Sequence, residues 1–488
     1  MPALPALLSQ LPLRGVQPMI RSKRTATRRS FVTALLLVSL VAGFGFSAAE
    51  SHRELARAKR AIIISLDGLD FRYLQKRDEY GLKIPTLRRL MNEGATAQVV
   101  GVYPSITYPS HTSIVTGTTP RRHGIYGNEI FEEPDKTQTG NWYWFARDIR
   151  VETIWDAAAK AKFTTAMISW PVSAGAGDYN FPEIFKIGGT REESLAMIKA
   201  NARPSGFVEE LERRDPELYR HQNKDEGDDL RTRFAEYVIA ERKPGLVLVH
   251  LFDLDHFEHD FGPFTPEVFA ILEKADGYVA RILAAAERAG TLSETAVFIV
   301  SDHGFMPVSK RIHPGVVLAR AGLLDLRQDK DSQGRDRFGV TGWRAAPYIS
   351  AGSCAIVLHN PADRVAYNKA MVAFKDFANN EGRGAFRILE PKEVERLGTN
   401  PNIAFILEAS DNHYFSAGFV GDPITAAKLK GQHGFLPNRY YTSFIASGAG
   451  VGRRGDLGTI RLIDEGPTMS RILGLKLRDA EGRSISLN

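Results

Sequence analysis

The sequence predicts an α/β protein with a doubly wound, mostly parallel central sheet and a cap subdomain inserted late in the chain. Three observations carry this prediction. Apolar runs at 61–66, 245–251 and 296–300 each lead straight into acidic residues, Asp67, Asp253 and Asp302. A strand that is apolar throughout is buried on both faces, as parallel strands are. Helical stretches separate the runs, and strands alternating with helices wind a sheet on both sides. Between about 310 and 430 that rhythm stops.

In order, 51–60 reads as a polar linker and 61–67 as the first strand, with Asp67 at the end where open α/β sheets carry their ligands. A helix over 85–92 leads through an extended segment near Val99 to 102–117, where Pro-punctuated chain runs into a short apolar helix. Thr107 stands just ahead of that helix. Pro109 fits its first turn, because the missing N–H would be unpaired there anyway. Thr107 either caps the helix or stands with an anion at its positive end. A Gly-punctuated loop follows at 122–128 and an aromatic excursion at 141–145.

Residues 153–162 read as helix, 164–170 as a second strand stopped by Pro171, and 172–243 as polar and helical with a charged connection near Asp225. The strand at 245–251 exits into Asp253-Leu-Asp-His-Phe-Glu-His-Asp260, and a helix over 265–289 leads to the strand 296–300. The cap, 310–430, holds Gly- and Asp-rich turns near 329–336, a strand at 354–358 and a helix at 364–379. The core, begun at 61–309, resumes over 431–478 with a strand at 442–447 and a helix at 469–473.

Composition excludes several classes. With 488 residues, 43% hydrophobic and 25% charged, the chain is globular, and no solenoid or propeller period is visible. The net charge of +6 does not mark a nucleic-acid binder. Arg14, Arg21, Lys23, Arg24, Arg28 and Arg29 precede residue 50 and no acid does, so the remainder is near neutral. Those charges precede an uncharged apolar run, 31–46, and the small residues 47–49, the order of a signal peptide over 1–49. The run is shorter than the about 20 residues of a comfortable bilayer span, so a membrane contact is expected only through an uncleaved leader. Residues 27–32 resemble a bacterial twin-arginine signal, with Met19 an alternative start. Cys354 is the only cysteine, which rules out an internal disulfide and points to a bacterial periplasmic or secreted protein.

Acids and imidazoles gather just after the strands: Asp67, Asp255 with His259, Asp302 with His303, and then His433. Each alone has an ordinary structural explanation. At one sheet edge, three carboxylates and three imidazoles, with one hydroxyl, furnish two metal sites of four and three protein ligands, water completing the second. Nitrogen and oxygen ligands suit zinc, with other divalent ions possible. Thr107 bound to a dication would lose its proton readily, and two ions about 4 Å apart would clamp the attacking and leaving oxygens of a phosphoryl transfer.

The motifs Leu66-Asp-Gly68, Thr107-Tyr-Pro-Ser-His111, Val115-Thr-Gly117, His123-Gly-Ile-Tyr-Gly-Asn128, Glu152-Thr-Ile-Trp155, Trp170-Pro171, Asp255 with His259 and Gly262-Pro263, Ser301-Asp-His-Gly304 and Gly431-Gln-His-Gly434 follow one another in order. In this series the sequence resembles the nucleotide pyrophosphatase/phosphodiesterase family of the alkaline phosphatase superfamily. The resemblance implies one metal held by Asp255, His259 and His433, and another by Asp67, Asp302, His303 and the Thr107 oxygen. It implies Thr107 as nucleophile, Asn128 as donor to a non-bridging phosphate oxygen, and Tyr108 against the organic group of a small phosphodiester or nucleotide. A phospho-threonine intermediate, later hydrolysed, is the implied route.

Three departures concern substrate: Ser110 stands where Asn is common, Leu254 replaces Pro before Asp255, and Glu258 replaces Gly before His259. Glu258 either bears on the leaving group or points to solvent. A sulfatase is excluded, since 107–111 lacks both the Cys or Ser to be matured and the Arg of that motif. A phosphonate hydrolase of the phosphonoacetate hydrolase kind shares the two-metal threonine site and stays the alternative. A non-catalytic binder would be expected to have lost a ligand.

Overall fold

The computed structural model describes residues 57–218, 227–330 and 336–488. The expected leader, the charged connection near Asp225 and residues 331–335 of the turns expected near 329–336 lie outside them.

Eight strands form the central sheet in the order Gly455–Arg461, Ala95–Val100, Thr442–Gly448, Thr295–Val300, Arg60–Leu66, Leu246–Leu251, Thr165–Ile168, Tyr179–Phe181. Only Thr442–Gly448 runs against its neighbours. The sheet is therefore mostly parallel, and alternate residues of its central strands feed two different cores. Ile62, Ile64 and Leu66 pack with Val247, Val249 and Leu251 under the helices Pro85–Glu93, Gly227–Arg242 and Pro266–Arg288. Ala61 and Ile63 pack with Leu246, Leu248 and Phe298 under Thr107–Thr116, Ile154–Lys160 and Leu462–Ile472.

Most elements fall within two residues of their expected bounds. The last helix is the clear exception. It starts at Leu462, seven residues early, and carries Pro467 inside it. Gly466-Pro467 reads as a breaker in sequence, and Pro467 can give no N–H bond to the Ile463 carbonyl, yet the helix runs through it. The edge strands Tyr179–Phe181 and Gly455–Arg461 were not apparent from sequence; three residues or a mostly exposed face leave no long apolar run to detect.

Residues 306–432 build a four-stranded antiparallel sheet ordered Ala345–Ser350, Ser353–Leu358, Ile403–Ala409, Phe386–Ile388, a smaller sheet around Met306–Ile312, and a hairpin of Leu324–Lys330 with Asp336–Trp343. A third core, with Ile356, Phe374, Phe405 and Leu407, lies beneath the helix Arg364–Asn379. Cys354 is buried in that core, away from any partner thiol. Among the described residues no helix is long and apolar enough to cross a membrane.

Candidate active site

Three adjacent parallel strands deliver the acids. Arg60–Leu66 lies between Leu246–Leu251 and Thr295–Val300, with Ser65 opposite both His250 and Val300. The three chains leave the sheet side by side, so Asp67, the Asp253–Phe261 helix with Asp255 and His259, and Asp302-His303 share one edge. His433 arrives from the opposite direction, just after Gly431–Gln432, which pairs with Met306 and Pro307. Lys430 donates its N–H to the His259 carbonyl at 2.9 Å, fastening this return to the helix. Gly434 has a φ of +79°, and a Cβ there would lie 1.8 Å from the Ser350 carbonyl, so only glycine makes the turn after His433.

Asp255 Oδ1 is the hub on one side. It lies 3.5 Å from His259 Nε2, 3.6 Å from His433 Nε2 and 4.0 Å from His303 Nε2. On the other side His303 Nε2 lies 3.3 Å from Asp67 Oδ1 and 3.0 Å from Asp302 Oδ2. The His303 and His433 rings stack with centroids 3.8 Å apart. All six residues expected from sequence as metal-ligating side chains around Thr107 thus meet. Three groupings among the described residues bring ligand atoms close enough to share an ion: Asp67 with Asp302 and His303, Asp255 with His303 and His433, and Asp67 with His111 and His250; His259 belongs to none of the three.

The cluster's own atoms fit a bound cation. Asp67 Oδ1, Asp255 Oδ1, Asp302 Oδ2 and His303 Nε2 are buried without a hydrogen-bond partner, a costly state unless a metal engages them. Burial, and then the charge of Asp255, pushes the Asp67 carboxyl well above its usual range; burial and Asp67 do the same to Asp302. Burial, followed by neighbouring imidazoles, holds His303 and His433 well below the usual histidine value, in the neutral form that ligates.

Thr107 is the first residue of the helix Thr107–Thr116, one position inside the expected place. His111 ties it to the cluster: Nδ1 lies 2.8 Å from the Thr107 carbonyl oxygen and 3.7 Å from Asp302 Oδ2. Ser105 and Ser110, the neighbouring hydroxyls, are fully buried, whereas Thr107 is only partly so. Asn128 accepts the Tyr108 N–H on Oδ1 at 2.9 Å, which leaves its amide NH2 to donate elsewhere.

Tyr108, expected to lie against the organic group, is an inside residue of the described structure. Its ring is fully buried, edge-on to Trp142 at 5.2 Å, and its hydroxyl donates to Glu183 Oε1 at 3.0 Å. Half-buried Trp142 lines a cleft of about 550 Å³ that opens beside Asn128 and His433. Glu258 faces neither cleft nor solvent. It is fully buried, accepts the Tyr73 hydroxyl at 2.7 Å, and packs so close to Gly68 that a Cβ there would lie 2.5 Å from Oε2. Leu254, in place of proline, is buried in the core.

Sequence reasoning assigned no role to His250 or Glu183. His250 Nε2 lies 2.8 Å from Asp67 Oδ2, and its Nδ1 lies 2.8 Å from Glu183 Oε2. A chain of contacts therefore runs from Asp67 through His250 and Glu183 to Tyr108. A signal was present: His250 and Ser65 interrupt apolar runs at positions that the parallel register places opposite each other, and His111 Nε2 meets Ser65 Oγ at 2.8 Å.

A mostly parallel α/β sheet thus carries acids and neutral imidazoles at its strand ends, beside a hydroxyl at a helix start. The chain belongs to the type I phosphodiesterase/nucleotide pyrophosphatase family, whose model matches residues 61–436. It is 25% identical over 257 residues to ectonucleotide pyrophosphatase/phosphodiesterase family member 1 of Homo sapiens, covering 50% of this chain and 23% of that protein. It is 27% identical over 297 residues to ectonucleotide pyrophosphatase/phosphodiesterase 1 of Saccharomyces cerevisiae, covering 55% of this chain and 36% of that protein. The matches thus span 23% and 36% of these relatives' lengths. Human ectonucleotide pyrophosphatase/phosphodiesterase 5 shares the alkaline phosphatase-like fold, with a TM-score of 0.60 at 16% identity over 87% of this chain and 97% of that one. A structure of the murine form of that protein, inactive and in complex with AMP, is similar to the same extent.

Proposed function

We propose that this chain hydrolyses phosphodiester or phosphoanhydride bonds of small molecules, with Thr107 as nucleophile. The observation that carries the reading is the set of unpartnered buried oxygens and nitrogens on Asp67, Asp255, Asp302 and His303, next to the one partly exposed hydroxyl of the 105–110 segment. Asp67, Asp302, His303 and Thr107 would hold one divalent ion, and Asp255, His259 and His433 a second, zinc being the expected species. Such ions supply Lewis acidity toward the hydroxyl and toward the phosphoryl oxygens.

The protein's own groups prepare the site. The N-terminus of the Thr107–Thr116 helix favours negative charge at the Thr107 oxygen and on the phosphoryl group. Asn128, with its carbonyl end held by Tyr108, presents N–H donors suited to a non-bridging oxygen. His250 and Glu183 fix the Asp67 carboxylate, and His111 fixes Thr107 relative to Asp302. Attack by Thr107 on phosphorus forms the Thr Oγ–P bond and expels the alcohol or phosphate leaving group, after which water cleaves the phospho-threonine. Nucleotides are the natural first substrates to try, given the relatives' names.

We also place the protein outside the cytoplasm, on the leader expected at 1–49. The test of function is turnover of dinucleotides, nucleoside triphosphates, glycerophosphodiesters and phosphonoacetate, each with and without chelator. Chelator-sensitive cleavage of any of the first three supports the reading, and turnover of phosphonoacetate alone would replace it with a phosphonate hydrolase.

A further inference from the structure

The cleft beside Asn128 and His433 has a one-sided charge. Its charged side chains are Glu129 and Glu132, and no Lys or Arg lines it. Among the described residues neither carboxylate has a cationic partner. Glu132 is held by the Thr139 hydroxyl and by the Thr139 and Gly140 N–H groups, which keep it below the usual range after offsetting its burial. Burial, and then the charge of Glu132, pushes Glu129 up. Gln432, only 6% exposed, lines the same cleft with Oε1 lacking any hydrogen-bond partner.

Aromatic faces complete the walls. Phe131 lies edge-on to Tyr348 at 5.4 Å, and the Tyr348 hydroxyl donates to the Glu129 carbonyl at 2.6 Å, closing the cap strand Ala345–Ser350 over the core loop. Trp142 lines the same cleft, its backbone paired with that of Glu129. Two carboxylates, an unpaired amide oxygen and ring faces form an environment that attracts cations bearing N–H donors and repels added negative charge.

Resting on the diesterase reading above, we propose that this cleft selects phosphodiesters whose organic group carries a positively charged amino group, and discriminates against substrates with further anionic groups. Glu129 and Glu132 supply the charge, Gln432 an acceptor, and Trp142, Phe131 and Tyr348 the faces. The amino group binds as its cation, and no covalent step is involved.

The test keeps chemistry constant and varies only the second ester: p-nitrophenyl 2-aminoethyl phosphate, p-nitrophenyl 2-hydroxyethyl phosphate and p-nitrophenyl 2-carboxyethyl phosphate, at saturating zinc. The proposal expects kcat/KM for the aminoethyl ester to exceed that of the hydroxyethyl ester about tenfold, or about 1.4 kcal/mol, with the carboxyethyl ester slowest. Added salt should narrow the spread. In Glu129→Gln with Glu132→Gln the aminoethyl to hydroxyethyl ratio should fall toward one, and in Glu129→Lys the carboxyethyl ester should overtake the aminoethyl ester. Equal kcat/KM for the three esters in the unaltered enzyme would overturn the proposal while leaving the diesterase reading intact. Failure to cleave any of them would overturn both.

Discussion

His250 Nε2 lies 2.8 Å from Asp67 Oδ2, and the opposite ring nitrogen lies 2.8 Å from Glu183. With one oxygen held in this way, Asp67 turns the other toward His303, 3.3 Å away. Contacts of this kind orient metal-binding carboxylates, and losing one typically costs 10–100-fold in affinity or activity. His250→Ala should therefore weaken metal binding and lower kcat/KM by about that factor while the protein stays folded. Metal titration and circular dichroism decide; unchanged metal affinity would reduce His250 to a packing role.

Thr107→Ala should abolish turnover and retain the fold, because no other hydroxyl of the segment is exposed. Ser105 and Ser110 are fully buried. Acid quenching of the unaltered enzyme during turnover, followed by peptide mass spectrometry, should find phosphate on Thr107. Phosphate on Ser105, or activity close to the unaltered level in the variant, would contradict the assignment.

Asp302→Ala and His433→Ala should each lower bound metal from two ions per chain toward one and disable catalysis. The pH dependence follows from the same residues. Burial raises the Asp67 and Asp302 carboxyls, so in the metal-free protein protons compete for them to a higher pH than for ordinary acids. Metal affinity should then fall as pH is lowered from 8 to 5, with protons released on binding. Elemental analysis and calorimetry in two buffers of different ionisation enthalpy measure both effects. An unchanged metal ratio in both variants would remove these residues from the metal sites.

Glu408 gives a stability prediction remote from the chemistry. It is 3% exposed, accepts the Leu436 N–H and an Arg439 N–H at 3.1 Å, and is pushed up to about 7, chiefly by burial. A carboxyl whose folded value is raised favours folding fully below its unfolded value, near 4.5, and loses that contribution as pH rises through 7. Glu408→Gln should therefore be most stabilising at pH 8, by up to about 3 kcal/mol, and close to neutral at pH 5. Thermal melts at the two pH values check it; a larger gain at pH 5 would reverse the sign.

The strand ends were legible in sequence because burial on both faces leaves an apolar run that stops abruptly at a functional acid, as at Ile62–Ile64 before Asp67. His433 was legible only through its motif, since it reaches the cluster across a two-residue strand that has no periodicity of its own. The burial of the Tyr108 ring was not legible, because motif spacing places a backbone position, while the neighbouring excursion at 141–145 decides which ring is covered. Trp142 folds over Tyr108 and takes the cleft face. His250 was overlooked because one polar residue in a buried strand acquires meaning only from its neighbours across the sheet.

The reaction class is tested most directly by comparing bis(p-nitrophenyl) phosphate with p-nitrophenyl phosphate at saturating zinc near pH 8. A diester carries one less negative charge than a monoester and needs less cationic clamping. The cleft offers no Lys or Arg and two acids, so a dianion is poorly served there. The diester should show the higher kcat/KM, abolished by chelator and in Thr107→Ala. A monoester advantage of about tenfold, about 1.4 kcal/mol of transition-state preference, would contradict it.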